Sequence, residues 1–296
     1  HTSGSTEGRG SVLWDAGRPS SGSGLPRAQA ANQVLPSAYN VWGLQLETNP
    51  TVGQAVYQTI YRDGANVAQS AAARLPIVGK ADGEMSLGSA AAGGSGYNGL
   101  VSELIVFAQP LTGLERRQVD TYLALKYGLP LSSGQYLSAG DAPLNVWDSA
   151  ADADYSNNVA GIAMDEEGAL DLMQSRSSAS PLADQIIVTA VEPLADKTYL
   201  LWGDNGGESL RLPYGDGYLR LAKIWKACNT GHVGQVQVAV PQSLVPLGGA
   251  LLTSADDGFT DAASFELAPV TIDGGAYYAA NVSLADGAFF TFAERL

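Results

Sequence analysis

From residue 186 onward the chain reads as a succession of short apolar runs, none long enough for more than one strand, cut by clusters of Asp, Asn and Gly. The expected strands cover 186–191, 198–202, 218–227, 234–240, 250–254, 264–267, 277–282 and 288–293. The breaks include Asp204-Asn205-Gly206-Gly207 and Asp273-Gly274-Gly275, whose residue types tolerate the positive φ of tight turns. Short strands at such spacing specify an antiparallel sandwich. The earlier half uses the same pattern. Alternation over 41–46, a hairpin flanking Asp63-Gly64, and β-prone runs at 85–88 and 100–107 make it antiparallel as well. Residues 1–38 are Gly-, Ser- and Pro-rich, with one short strand-like patch at 11–14.

One segment has helical periodicity, at about 113–127. Thr112 and Glu115 have the spacing of a reciprocal capping box, and Gly128 followed by Pro130 ends the helix. Leu114, Val119, Tyr122, Leu123 and Tyr127 fall near one face, expected to pack on the preceding sheet, with Glu115, Arg116 and Asp120 toward solvent. The small, polar stretch 132–142 is the expected linker. It separates a first sandwich at 1–131 from a second at 143–296, in keeping with the roughly two domains that 296 residues predict. A helical or irregular piece is expected at 166–173.

Thirty Asp and Glu against sixteen Lys and Arg give a net charge of -14, which repels nucleic acid and anionic lipid heads. One cysteine cannot form an intrachain disulfide, and Cys228, His1 and His232 cannot make a structural zinc site. No apolar run is long enough for a membrane helix, so membrane insertion is not expected. The acidic, lysine-poor, Gly/Ala/Ser-rich composition suits an exported bacterial surface protein, extracellular in location. A first residue His1 suggests a processed product or a piece of a longer multidomain chain.

The string GYNGLVSELIVFAQPLTGLERRQVDTYLALKYGLPL resembles the final strand and closing helix of bacterial laminin-G-like, concanavalin A-like jelly rolls. WGLQLE, IYRDGANVAQS and LGSAAAGG resemble earlier parts of the same module in the same order, while its opening strands are missing from 1–38. The second half, with YLLWGDNG, RLAKIWKACNTGHVGQVQVAVP and DGAFFTFA, resembles an uncharacterised β-sandwich module that trails such jelly rolls in large adhesin-like proteins. The resemblance implies a partial jelly roll followed by a second sandwich. It also implies binding to glycans or cell-surface glycoproteins, attachment, or plain spacing, without choosing among them.

Candidate chemistry is sparse. Jelly-roll glucanases place carboxylates at alternate positions of one strand, whereas Glu103 is the only acid in 100–107. Asp165-Glu166-Glu167 is consecutive and reads as a solvated turn or helix start. His232, the only internal histidine, falls in an apparent hairpin turn, and no Gly-x-Ser-x-Gly elbow exists. Cys228 beside Trp225 and Ala227 reads as a small buried residue, and Trp42, Trp202 and Trp225 as core. For calcium, Asp204 and Asn205 with Asp216 offer clustered oxygens, as do Asp256-Asp257 and Asp152 with Asp154; ordinary turns select the same residues. For a sugar, Tyr97-Asn98 and Trp14-Asp15 pair an aromatic ring with a hydrogen-bonding group. The residues therefore predict a non-enzymatic, all-β module pair acting in adhesion or carbohydrate recognition. The alternatives are structural spacer modules without a ligand site and, less favoured, a carbohydrate-active enzyme.

Overall fold

The computed structural model describes residues 10–14, 28–34, 39–47, 57–70, 99–132, 134–215, 217–246 and 248–295. The chain divides into two compact units, His1–Glu115 and Arg116–Leu296. Its sheets are antiparallel throughout the described pairings, and it is an all-β protein with one α-helix among the described residues.

In the first unit β1 (Gly10–Trp14) pairs with β2 (Ala28–Val34), and β3 (Trp42–Glu47), β4 (Tyr57–Arg62) and β5 (Ala65–Gln69) form a meander. Ala28 and Ala30 of β2 pack on Ile60, with Trp42 partly buried against them. The front of the chain thus supplies a strand pair where sequence suggested one strand patch within loop. Asp63 and Gly64 both take positive φ, 49° and 81°, so the two-residue turn matches the twist of its strands. Asp63 also has a tertiary role: its carboxylate accepts the Val41 amide and the Asn40 side-chain amide, each at 2.8 Å. Residues 101–107 are assigned to no strand, and Leu104, Val106 and Phe107 are exposed, where a strand was expected. The expected strand at 85–88 lies outside the described residues.

The helix α1 (Gly113–Tyr127) has the expected cap: the Thr112 amide donates to Glu115 Oε2 at 2.7 Å and the Glu115 amide to Thr112 Oγ1 at 3.2 Å. Its buried face differs from expectation, being Asp120, Thr121, Ala124 and Leu125, while Leu114 is exposed. After α1 come β6 (Gln135–Leu137), β7 (Asn145–Asp148), β8 (Asn157–Asp165), β9 (Leu170–Leu172), β10 (Gln174–Ser175) and β11 (Ile187–Ala190). β12 (Thr198–Asp204), β13 (Arg211–Tyr214), β14 (Tyr218–Leu221), β15 (Trp225–Thr230) and β16 (Gln235–Pro241) follow. The last are β17 (Ala250–Ser254), β18 (Ala263–Glu266), β19 (Ala268–Ile272), β20 (Gly275–Ser283) and β21 (Phe289–Arg295).

A nine-stranded sheet runs β13-β14-β21-β15-β12-β8-β9, with β17 on β21 and β18 on β17; a five-stranded sheet runs β10-β11-β16-β20-β19. They enclose one core, in which Ile162, Leu200, Trp202, Trp225, Phe290 and Phe292 of the large sheet meet Val188, Val236, Val238 and Val282 of the small one. The opposite face of the large sheet is also covered. Val159, Ala163, Tyr199 and Leu201 pack on Ala124 and Leu125 of α1 and on Tyr136, Val146 and Trp147 of the β6–β7 pair. The helix therefore closes the sheet that follows it. The same packing corrects the linker expectation, since 132–142 contains β6 with Tyr136 fully buried, and the compact units divide at Glu115/Arg116 instead.

Of the helical and irregular alternatives for 166–173, the structure has the irregular one, a turn that leads into β9. Gly231-His232 joins β15 of the large sheet to β16 of the small one, so it is an arch between layers and not a hairpin. The run 218–227 does lie along one edge of β21, but five steps from Arg220 to Trp225 face three from Ala293 to Phe290. The surplus forms a bulge over 222–224. Thr291 Oγ1 donates to the Lys223 carbonyl at 2.7 Å, while the Ile224 amide donates to Asn205 Oδ1 at 3.1 Å.

The docking of α1 can be measured at Thr121, whose hydroxyl donates to the Arg117 carbonyl and accepts the buried Leu137 amide, both at 2.9 Å. Thr121→Val leaves that amide unsatisfied, and chemical denaturation should show a loss of about 1–3 kcal/mol. An unchanged midpoint would mean that α1 and β6 are not held together as described.

Candidate functional site

Where α1 ends, Gly128 takes φ 62°, and a Cβ there would stand 2.1 Å from the Arg176 carbonyl oxygen. No other residue type fits without backbone movement. The Gly128 carbonyl accepts the Ser178 amide at 2.7 Å and the Ser178 hydroxyl at 2.9 Å, tying the helix end to the segment that follows β10. Beside this tie opens a groove of about 300 Å³, lined by Lys126, Tyr127, Gly128, Leu172, Gln174, Ser175, Arg176 and Ile187. The Lys126 ammonium lies 4.9 Å from the Tyr122 ring centre and 5.7 Å from that of Tyr127. Arg176 Nη2 donates to Asp273 Oδ2 at 2.9 Å, which uses one of five guanidinium N–H donors. In a chain of net charge -14 the lining thus has two cations, an aromatic ring, an amide and a hydroxyl, and no carboxylate.

This groove is not visible in the sequence. Its lining comes from the end of a helix and from strand residues some fifty positions later, and no residue pattern announces the pairing. Of the residues singled out for sugar binding, Tyr97, Asn98 and Asp15 lie outside the described residues, as does Asp216 of the calcium set. Trp14 ends β1, opposite Ala28.

Asp204 and Asn205 do come together, but their oxygens are occupied by protein donors. Asp204 Oδ1 accepts the Gly206 amide and Oδ2 accepts the Asn158 side-chain amide, both at 2.8 Å. Asn205 Oδ1 accepts the amides of Gly207 and Ile224 at 3.0 and 3.1 Å. The other pairs are similarly engaged: Asp152 with Lys226, Asp256 with Ser254 and Thr260, and Asp257 with the Tyr155 hydroxyl. Among the described residues no three His, Cys, Asp or Glu side chains are arranged to hold a metal ion.

Asp165, read from sequence as part of a solvated run, is 2% exposed. It accepts Lys197 Nζ at 2.7 Å, the Ala139 amide at 2.8 Å, the Gly168 amide at 3.0 Å and the Tyr199 hydroxyl. Burial raises its pKa, but these four donors outweigh that and bring it down to about 2. Lys197 also bonds the Ala139 carbonyl and Glu167, so one ammonium joins the β8–β9 turn, the β6–β7 loop and β12. Cys228, half-buried beside Asp152, has its thiol pushed up to about 12 by burial and by that carboxylate, which keeps it protonated. His232 is exposed on the arch at φ 63°. Trp202 and Trp225 are core residues as expected, and Trp42 is partly buried.

Residues 115–288 match the family described as Domain of unknown function (DUF8202). The chain belongs to that family. The DUF8202 match opens in the first turn of α1 and stops one residue short of β21, so it covers the helix layer and nearly all of both sheets of the second unit. No curated protein and no solved structure matches the chain. Among the described residues, no helix of this DUF8202 protein is long and apolar enough to cross a membrane.

Two measurements follow from the buried groups. The folded pKa of Asp165 lies below its ordinary 3.8, so its stabilisation is present above that value and is lost as pH falls toward about 2. The loss should be about 2 kcal/mol across this window, and Asp165→Asn should flatten the pH dependence of stability there. Native Cys228 should resist iodoacetamide at mildly alkaline pH and react fully once unfolded; equal rates in both states would contradict its protonated, half-buried setting.

Proposed function

We propose that this chain is a non-enzymatic recognition module of an exported bacterial surface protein, and that its second unit binds carbohydrate in the groove beside the α1 C-terminus. The observation carrying this reading is the lining itself. Tyr127 offers an apolar face to a sugar ring, Gln174 and Ser175 offer hydrogen bonds to hydroxyls, and Lys126 and Arg176 favour a saccharide bearing carboxylate or sulfate. The resemblance of the first unit to laminin-G-like jelly rolls supports attachment to glycans or glycoproteins at a cell surface. Tyr97 and Asn98 remain the candidates for a contact in that unit, and calcium the candidate ion.

A second reading, plain spacing, is favoured by a different observation: buried charges of the second unit bond to one another between elements, as Lys197 does with Asp165 between neighbouring strands and Lys223 with Asp184 between the two sheets. Such groups stiffen a body without serving a ligand.

A glycan array with the purified chain separates the two. Recognition predicts reproducible binding to acidic saccharides, weakened about tenfold in Arg176→Ala, the loss of one charge-assisted hydrogen bond of roughly 1.5 kcal/mol. Loss in Tyr97→Ala alone would move the site to the first unit. Silence across the array would leave the spacer reading standing.

A further inference from the structure

Lys223 is one of the least exposed charged side chains in the second unit, at 6% side-chain exposure, and two carboxylates face its ammonium. Asp184 Oδ2 lies 2.5 Å from Nζ and Asp204 Oδ2 lies 4.0 Å from it. The three residues come from separate elements. Lys223 sits in the bulge before β15, and Asp204 ends β12 opposite Trp225, so both belong to the large sheet. Asp184 lies in the turn leading into β11 of the small sheet, just ahead of the core residue Ile186. The bulge adds no rung to the ladder along β21. What it does is place a lysine at one end of the sandwich interior, its backbone held by Thr291 and its neighbours Ala222 and Ile224 held by Asn205.

We infer that Lys223 and Asp184 are built to condense into an isopeptide bond that joins the two sheets covalently. The reacting forms are the neutral amine and the carboxylic acid, reached by moving one proton from Lys223 to Asp184 within the pair. The Nζ lone pair attacks Asp184 Cγ, forming the C–N bond and a tetrahedral centre. The Asp204 carboxylate takes a proton from the attacking nitrogen and returns it to the departing hydroxyl. The Cγ–O bond breaks, water leaves, and Asp204 is regenerated. Charge balances, and no co-reactant is consumed. Asp204 reaches the nitrogen directly after a small shift or through one water, and its orientation is set by Asn158 and the Gly206 amide. Asp184 keeps 13% side-chain exposure, which gives the water a way out. Holding the two groups in contact supplies the effective concentration that free lysine and aspartate lack.

The other lysine–carboxylate pair at 2.5 Å makes the contrast. Lys226 with Asp152 is more open, at 23% and 9%, and Lys226 is held as a cation by that carboxylate and lies 5.8 Å from the Phe289 ring centre. It has no second carboxylate among its salt-bridge partners.

Intact mass spectrometry of the unfolded, purified chain tests the inference. The expected result is a mass lower than the sequence mass by one water, loss of trypsin cleavage after Lys223, and a branched peptide joining Lys223 to Asp184. Lys223→Arg and Asp184→Ala should restore the full mass, Asp204→Asn should restore it or make the loss slow, and Lys226→Arg should leave the deficit in place. A wild-type chain at full mass with normal cleavage after Lys223 overturns the inference, whether or not the variants fold. So does a deficit traced to a succinimide at an Asp-Gly step such as Asp273-Gly274, or one that survives Lys223→Arg.

Discussion

The second unit depends on a strand with no exposed residue. All seven positions of β12 are buried, because Leu200 and Trp202 face the inter-sheet core while Tyr199 and Leu201 face the helix layer. A strand covered on both sides contributes apolar area twice, at roughly 25 cal/mol per Å² on each face. It also leaves no wet side on which to put polar groups. Polar side chains are therefore forced to the strand ends, where Asp204 meets Asn158 and Lys223, and where Tyr199 near the other end reaches Asp165. The two buried charge centres of this sheet are consequences of how β12 is enclosed.

That double burial also explains what the sequence revealed and what it hid. Apolar runs cut by turn residues mark strands, and 250–254 and 277–282 are legible in that way to within a few positions. β8 is not, because NNVAGIAMD is almost wholly buried from Val159 on and has neither strand alternation nor helical period. The helix bounds were readable from Thr112, Glu115 and Gly128, since caps are local chemistry. Its buried face was not, because close approach to the sheet selected small Thr121 and Ala124 over the larger Leu114 and Leu123. β6 reads as a linker since its neighbours are Ser and Gly and only two of its residues, Tyr136 and Leu137, are buried. The groove was illegible for a similar reason: tertiary structure, not spacing along the chain, brings Lys126 and Arg176 to one place.

Lysine is used sparingly, and mostly inward. The sequence has five lysines, and three of them, Lys197, Lys223 and Lys226, bond to carboxylates that are themselves mostly buried. A strongly acidic chain gains by neutralising those carboxylates locally, since an unpaired buried charge costs several kcal/mol. The surface keeps the excess negative charge, and against that background the groove stands apart for its two cations, of which Arg176 is paired with Asp273.

The position of β21 has a consequence for how the unit is made. It pairs with β17 along one edge and with β15 and β14 along the other, so the strand nearest the C-terminus is an interior plank of the large sheet. During synthesis two half-sheets with bare backbone edges must wait for residues 289–295, and either edge can accept a foreign strand in the meantime. Assembly of this body is gated by the arrival of its final plank, so prompt completion of the unit, or shielding of the two edges until then, shortens the time for which they stand open.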